Sequence, residues 1–514
     1  MVNSPVAIVE IGSTGIRLLV AEIKGREWNT LDRAARPTVL GRDVFTTGEL
    51  SRESFLECLS VLHNYQELLV GWNIASENIH VIATSALRVA RNRDVFIDRI
   101  QLETGFKVAI VEGIEENRLM YLAVRFALKQ DSPQFWRANS MIIELGGGST
   151  ELMLLRRGQM VAAHSIKQGT ITIDQRIRLR AGSGMFHEHY FREAIRDTVE
   201  LLKAEMDLSH VRTFVVAGSD ARLASAQTGI ELNEHCRIIN RDEFIAFAEK
   251  VRNYSIEECI QKLGMAYFDA EGFVPGILVQ KLLLEQTGAA QVVVPLVSIR
   301  EGFLIDLVLG VDSDLQEDFY SQIIASAVNL GRKYHYDEAH ARHVAVLSLA
   351  LFDALAKEHG MNRRQRMMLE TAAILHDIGT FIKGSAHNRH GQYIVVNTEI
   401  FGLQRDELDI IANVIRYHRG EPPAYTDIEY VSLQREERIL VLKMASILRV
   451  ADALDRGHSQ RIKDLIVDRR AETLELHSLG TGTQGVLDIS LELIALEEKA
   501  RLFQDVFGYK VVLS

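Results

Sequence analysis

Met141-Ile-Ile-Glu144-Leu-Gly146-Gly147-Gly148-Ser149-Thr150-Glu151-Leu-Met-Leu-Leu155 is the stretch on which the reading of this chain turns. An apolar, β-prone run (Met141–Leu145) meets three glycines, then Ser149, Thr150 and Glu151, then a second apolar run. That order predicts a strand, a tight turn and a returning strand. Glycine has no Cβ, so its backbone N–H can approach an anion closely. Ser149 and Thr150 add hydroxyl donors. Glu144 and Glu151 bracket the turn with carboxylates, which repel phosphate unless a cation lies between, so the combination points to a metal–phosphate site. An ordinary hairpin is the plain alternative, because short glycine motifs recur by chance. A second copy weighs against it. Val9-Glu10-Ile11-Gly12-Ser13-Thr14 lies between the apolar runs Val6–Ile11 and Ile16–Ile23 and repeats Glu-apolar-Gly-Ser-Thr. Two such hairpins imply a duplicated domain whose lobes face each other across a cleft.

Outward from these hairpins, composition narrows the class. At 514 residues the chain exceeds one core and calls for three or four domains. Hydrophobic content of 47% and charged content of 25% belong to ordinary globular protein, and seven prolines argue against extended disorder. Cys58, Cys236 and Cys259 are scattered and odd in number, which fits a reducing cytoplasm and no disulfide framework. No window approaches about 18 uninterrupted apolar residues, so no membrane span is expected. The net charge of −11 disfavours a nucleic-acid binder, although a local basic groove can still hold an anionic substrate.

Strands alternate with helices over the first 310 residues or so, the mark of α/β lobes. Asp131-Ser132-Pro133 and Val311-Asp312-Ser313-Asp314 read as boundaries. From there to about Arg456 the pattern is helical and rich in histidine. The tail holds short strand-like runs (Leu465–Val467, Thr473–His477, Val486–Ile489), a helix over Ser490–Val506 and a last strand, Tyr509–Leu513. The expected division is 1–130 and 131–311 for two α/β lobes, 312–457 for an all-α domain and 458–514 for a small α+β domain.

Val9–Leu18, Ala83–Ala90, Val111–Leu119, Ile142–Leu152 and Ser298–Leu304 together resemble the exopolyphosphatase/guanosine pentaphosphate phosphohydrolase (Ppx/GppA) family, of the actin-like (ribonuclease H-like) superfold. The resemblance implies removal of terminal phosphates from inorganic polyphosphate, or of the 5′ γ-phosphate from guanosine pentaphosphate. It implies Mg²⁺ or Mn²⁺ at the phosphate site, and a cytoplasmic homodimer. By motif position, Glu116 falls on the water-activating carboxylate, with Glu115 beside it as the alternative, and Arg88 on a phosphate-binding arginine. Gly12, Ser13 and Thr14 with Gly146, Gly147, Gly148, Ser149 and Thr150 fall on the phosphate loops, and Glu10, Glu144 and Glu151 on metal and loop acids. The sequence departs from the family at several positions. Glu stands for Asp at Glu10 and Glu144, the first loop reads Gly12-Ser13-Thr14-Gly15 rather than Gly-Ser-Asn-Ser, and Asp220-Ala221 replace Gly-Thr. An extra methylene displaces each carboxylate by about 1.5 Å, which matters because Mg²⁺ demands a regular octahedral shell. The changes compensate each other, shift metal preference, or leave a weakly active protein that senses polyphosphate or guanosine tetra- and pentaphosphate.

A long polyanion needs a positive track. Arg88, Arg91, Arg93, Lys107, Lys167, Arg176, Arg178 and Arg180 are candidates, with Arg389, Arg416 and Arg419 from the helical segment; solvated surface charge is the competing reading for most of them. The helical segment also carries His340, His376-Asp377, His387 or His390, His418 and Asp452, with His343 as an alternative to His340. This set resembles the HD-domain metal-dependent phosphohydrolases and implies a second divalent-metal site. Buried, hydrogen-bonded core histidines are the alternative.

Overall fold

The computed structural model describes residues 5–25, 27–128, 137–181, 188–309, 313–470, 472–480 and 489–513. The boundary Asp131-Ser132-Pro133 and most of the expected strand Val486–Ile489 lie outside them. The chain divides into two compact units, Met1–Phe319 and Tyr320–Ser514.

The first unit holds two sheets built on one plan. In the first, β1 (Pro5–Ile11), β2 (Gly15–Lys24) and β3 (Glu27–Pro37) form an antiparallel meander, and β4 (Ile79–Ala83) and β5 (Val108–Ile110) extend it in parallel on the β1 side, giving the order β3-β2-β1-β4-β5. In the second, β6 (Ser140–Leu145), β7 (Thr150–Arg156) and β8 (Gln159–Ile166) repeat the meander, and β9 (Thr213–Ala217) pairs in parallel with β6. Beyond β9, the sheet continues through β12 (Gln291–Pro295), β11 (Cys236–Asn240) and β10 (Ile230–Asn233). Each meander hairpin places its glycine turn at the carboxyl end of a central strand, the position where open α/β sheets gather ligands.

Central strands buried on both faces lose the apolar/polar alternation of an edge strand. Ala7, Ile8, Val9 and Ile11 of β1 are all buried, as are Met141, Ile142 and Ile143 of β6. Helix Arg52–Gly71 covers the first sheet with Cys58, Leu59, Leu62 and Leu69, and Ser51 caps its start by accepting from Ser54 N–H. Helix Tyr267–Glu285 is apolar nearly all round and lies buried in the second core, where its Leu282 joins Phe214 and Phe244. Four strands escape the sequence reading, β3, β8, β10 and β11. Leu31 of β3 is exposed and the strand is largely polar, as an edge strand is allowed to be.

In the second unit the described elements from Tyr320 to Ala453 are all helical. Capping boxes at Asn362/Gln365, Gln404/Glu407 and Gln434/Glu437 fix where three of the helices start. Val344, Leu351, Leu369, Ile411, Ile415, Met444 and Leu448 fill the interior of the bundle. After it, β13 (Ile462–Arg470) pairs antiparallel with β14 (Thr473–Gly480), and β15 (Lys510–Leu513) pairs in parallel with β14. Helices Ser490–Lys499 and Arg501–Phe507 connect the latter two strands.

Candidate active site

The two glycine turns close in the same way. Gly12 N–H donates to Gly15 O at 3.0 Å, and Gly146 N–H to Ser149 O at 2.9 Å. They also meet: a Cβ on Gly147 would stand 3.0 Å from Ser13 Cβ, a tight contact that glycine avoids. Gly169 presses on the second turn from outside, and the N–H groups of Thr170 and Ile171 hold the carbonyls of Gly146 and Gly147 at 2.9 and 3.0 Å. Between the turns lies a polar cleft. Gly12, Ser13, Thr14, Gly146, Gly147, Ser149, Glu10, Glu116, Glu144 and Glu151 line it, with Arg17, Ser85, Asp220, Arg222 and Arg300.

Glu116 sits in the first turn of helix Gly113–Leu128, directly after β5. Arg88, in the short helix Ser85–Val89 after β4, donates through Nη1 to Glu116 Oε2 at 2.6 Å and to Val111 O at 2.6 Å, and through Nη2 to Ser149 Oγ at 3.4 Å. One guanidinium thus joins the expected base to the expected phosphate turn. Glu151 accepts from Ser165 Oγ at 3.0 Å and Asn117 Nδ2 at 3.2 Å. Burial holds the Glu116 carboxyl above its ordinary range, with Arg88 opposing, and burial beside Glu116 raises Glu151 much further.

The hairpins differ in charge. Across β1/β2, Glu10 faces Arg17, which lies 3.4 Å from its Oε1, and Arg300 Nε lies 3.1 Å from its Oε2. Across β6/β7, Glu144 faces Glu151. Burial, then Glu116 and Glu10, push the Glu144 carboxyl up to about 8. Carboxylates crowded and buried beside phosphate-type donors fit a divalent cation, which would relieve their repulsion and bring phosphate within reach. Glu144, with Glu10, would hold it.

Some expected residues stand elsewhere. Glu115 does not line the cleft: Arg118 clamps it at 2.6 and 2.7 Å, and the same guanidinium binds Asp306 at 2.6 and 2.8 Å. Gly148 packs beneath the Phe45 ring, where a Cβ would come within 1.9 Å, and the Thr150 hydroxyl donates to Gln168 O. Arg17, Arg222, Arg300 and Asp220 are lining residues to which sequence reasoning assigns no role. The available signal was that Arg300 lies in a family-like motif and Asp220 at a departure from one.

Residues 19–310 match the Ppx/GppA phosphatase family and residues 324–498 its domain III. The chain belongs to the Ppx/GppA phosphatase family. As a Ppx/GppA phosphatase it is a hydrolase of phosphoanhydride bonds. It is 23% identical over 461 residues to the guanosine-5′-triphosphate,3′-diphosphate pyrophosphatase of Photobacterium profundum, covering 86% of each chain. To the protein of that name from Vibrio atlanticus it is 24% identical over 451 residues, again covering 86% of each. The crystal structure of an exopolyphosphatase from Cytophaga hutchinsonii superposes with a TM-score of 0.54 at 18% identity, covering 60% of this chain and 99% of that one.

The helical unit of this Ppx/GppA phosphatase gathers His340, His376, Asp377, His418 and Asp452 into one cluster. His387 completes it, its Nε2 3.0 Å from Asp377 Oδ1, so the expectation for His390 is corrected: His390 lies nearly one helical turn further along and is only half-buried. Among the described residues no helix is long and apolar enough to cross a membrane.

Proposed function

We propose that this chain is an exopolyphosphatase, removing terminal phosphates from inorganic polyphosphate by attack of water in the cleft between the glycine turns. The observation that carries the reading is the Arg88 guanidinium, which touches both Glu116 and Ser149 of the Gly146–Ser149 turn. Phosphoryl transfer to water needs a positioned nucleophile and donors for the equatorial oxygens. Glu116 accepts the proton of the attacking water, its carboxylate held in place by the Arg88 guanidinium. Backbone N–H groups of Ser13 and Thr14 in the first turn and of Gly147 and Ser149 in the second cradle the terminal phosphate. Arg88 exchanges its bond to Ser149 for one to a phosphoryl oxygen while still orienting Glu116. A divalent ion, Mg²⁺ or Mn²⁺, held by Glu144 and Glu10 supplies charge neutralisation at the phosphoryl oxygens.

A second reading is favoured by the names of the relatives: hydrolysis of the 5′ γ-phosphate of guanosine pentaphosphate in the same cleft. Phosphate release with Mg²⁺ or Mn²⁺, measured on long-chain polyphosphate and on guanosine pentaphosphate, separates the two. The expected result is the higher kcat/KM on polyphosphate. A preference for the nucleotide moves the conclusion to the second reading. Release from neither, with tight binding of either, leaves a sensor that binds phosphate chains.

A further inference from the structure

The six side chains in the helical unit are wired in one sense. His376 Nδ1 faces Ala373 O at 2.7 Å, His418 Nδ1 faces Ile415 O at 2.7 Å, and His387 Nδ1 faces Gly384 O at 2.9 Å. A carbonyl only accepts, so in each ring Nδ1 carries the proton and Nε2 presents a lone pair. His340 Nδ1 is held at 2.9 Å by Asp455, whose other oxygen accepts from Ser459 and Gln460 N–H groups, so this ring too turns Nε2 inward. Fixing one ring nitrogen on a carbonyl or carboxylate to aim the other is how metal-binding histidines are oriented.

The inward atoms face other acceptors. His340 Nε2 lies 3.7 Å from Asp452 Oδ1 and 4.0 Å from Asp377 Oδ2; His376 Nε2 lies 3.7 Å from Asp377 Oδ1 and 3.9 Å from Asp452 Oδ1. Both nitrogens are buried and make no hydrogen bond. On the other side of Asp377, His387 Nε2 and His418 Nε2 stand 3.3 Å apart, 3.0 and 3.8 Å from Oδ1. Lone pairs buried this close to carboxylates repel without a cation, and separations of 3 to 4 Å are those between ligands each about 2.1 Å from one ion. Two cationic side chains border the cluster. Lys499 pairs with the outer oxygen of Asp452, and the exposed Arg419 reaches to 3.3 Å from the His387 ring.

We propose that this cluster is a two-ion divalent-metal centre, in which Asp377 bridges an ion held by His340, His376 and Asp452 and an ion held by His387 and His418. Lys499 and Arg419 equip it to take a phosphate group from solvent. Imidazole with carboxylate suits Mn²⁺, Fe²⁺, Co²⁺ or Zn²⁺. The centre owes nothing to the cleft residues, so it stands or falls separately from the activity proposed there.

The test uses the full untagged chain, stripped with chelator, reloaded with Co²⁺ and desalted. Elemental analysis is expected to find about two more ions per chain in the wild type than in Asp377→Asn, while Glu144→Gln in the cleft keeps that pair. Equal metal in wild type and a folded Asp377→Asn overturns the site, and a difference of one ion overturns the bridge. If Asp377→Asn does not fold, His387→Gln decides. It is expected to lose one ion and alter the visible Co²⁺ absorption, and unchanged content and spectrum overturn the proposal. Inorganic phosphate is the probe for the ligand: it should shift the Co²⁺ spectrum of wild type and of Glu144→Gln, with Lys499→Met needing about tenfold more. A spectrum indifferent to phosphate removes the phosphate half of the proposal.

Discussion

Glu116, buried, and Glu144, half-buried, are both cleft acids, yet they have different neighbours and should fail differently. Glu116 is held by Arg88, so Glu116→Gln keeps the shape of the site and removes the proposed proton acceptor. kcat on the preferred substrate is expected to fall about 100-fold or more with KM little changed. A loss of only about two- or threefold would return the role to another acid. Glu144 predicts a pH effect. Its folded pKa of about 8 stands above the 4.5 of an ordinary glutamate, so between those values the folded form holds a proton that the unfolded form has released. Stability of the metal-free protein therefore falls as pH rises from about 4.5 to 8, by up to about 1.4 kcal/mol per unit from this group. Thermal melts should show that decline, Glu144→Gln should flatten it, and Mg²⁺ should raise Tm more at about pH 8 than at about pH 5. At this scale the sequence disclosed the residues that sit in contiguous motifs: Glu116, Arg88 and the two glycine loops. Arg17, Arg222, Arg300 and Lys499 stayed hidden because a single charged side chain looks alike on a solvated surface and in a cleft. Only the fold decides which of the two it meets.

The hairpin is the element that carries this site, and its repetition was legible because both copies keep Glu-apolar-Gly at the same strand end. What lies behind the turn was not. Gly169 comes after two further strands, β7 and β8, and no local pattern marks it. A Cβ there would lie 2.4 Å from Gly146 O and from the Gly147 backbone. Those are main-chain atoms, so no rotamer change relieves the clash. Gly169→Ala should displace the Gly146–Ser149 turn and cut kcat/KM by about tenfold or more, since misplacement of a positioning group by about 1 Å is that costly. Steady-state rates with a circular-dichroism control check it, and an unchanged rate would mean the turn does not bind the reacting phosphate. The strands β3 and β8 were missed for a related reason. They complete each meander at an edge, where side chains need not alternate between core and solvent as a half-buried strand's do.

At the scale of the molecule, the two compact units have their own cores, and calorimetry should resolve them. Leu202→Ala in the second α/β lobe and Leu448→Ala in the helical bundle each empty a fully buried site. Each should cost about 2–5 kcal/mol and lower one thermal transition by several degrees while leaving the other in place. A single transition moved equally by both would show that the units melt as one. The change from α/β to helical periodicity was legible in the sequence, and the two compact units part between Phe319 and Tyr320, beyond the expected boundary at 311/312. Which histidine completes the helical cluster was not legible, since His387 and His390 share a helix and only its rotation selects between them. The unequal hairpins have a consequence for how substrate is taken in. The first hairpin answers Glu10 with Arg17 and Arg300, whereas the second sets Glu144 opposite Glu151 and stays acidic until a cation enters. On the proposed activity a phosphate chain would settle against the first hairpin without help, and only its last unit would be drawn across to the second. On that activity such a mouth would be polarised: it would take a chain by its end, since an internal phosphate, tied to neighbours on both sides, would have no comparable way in.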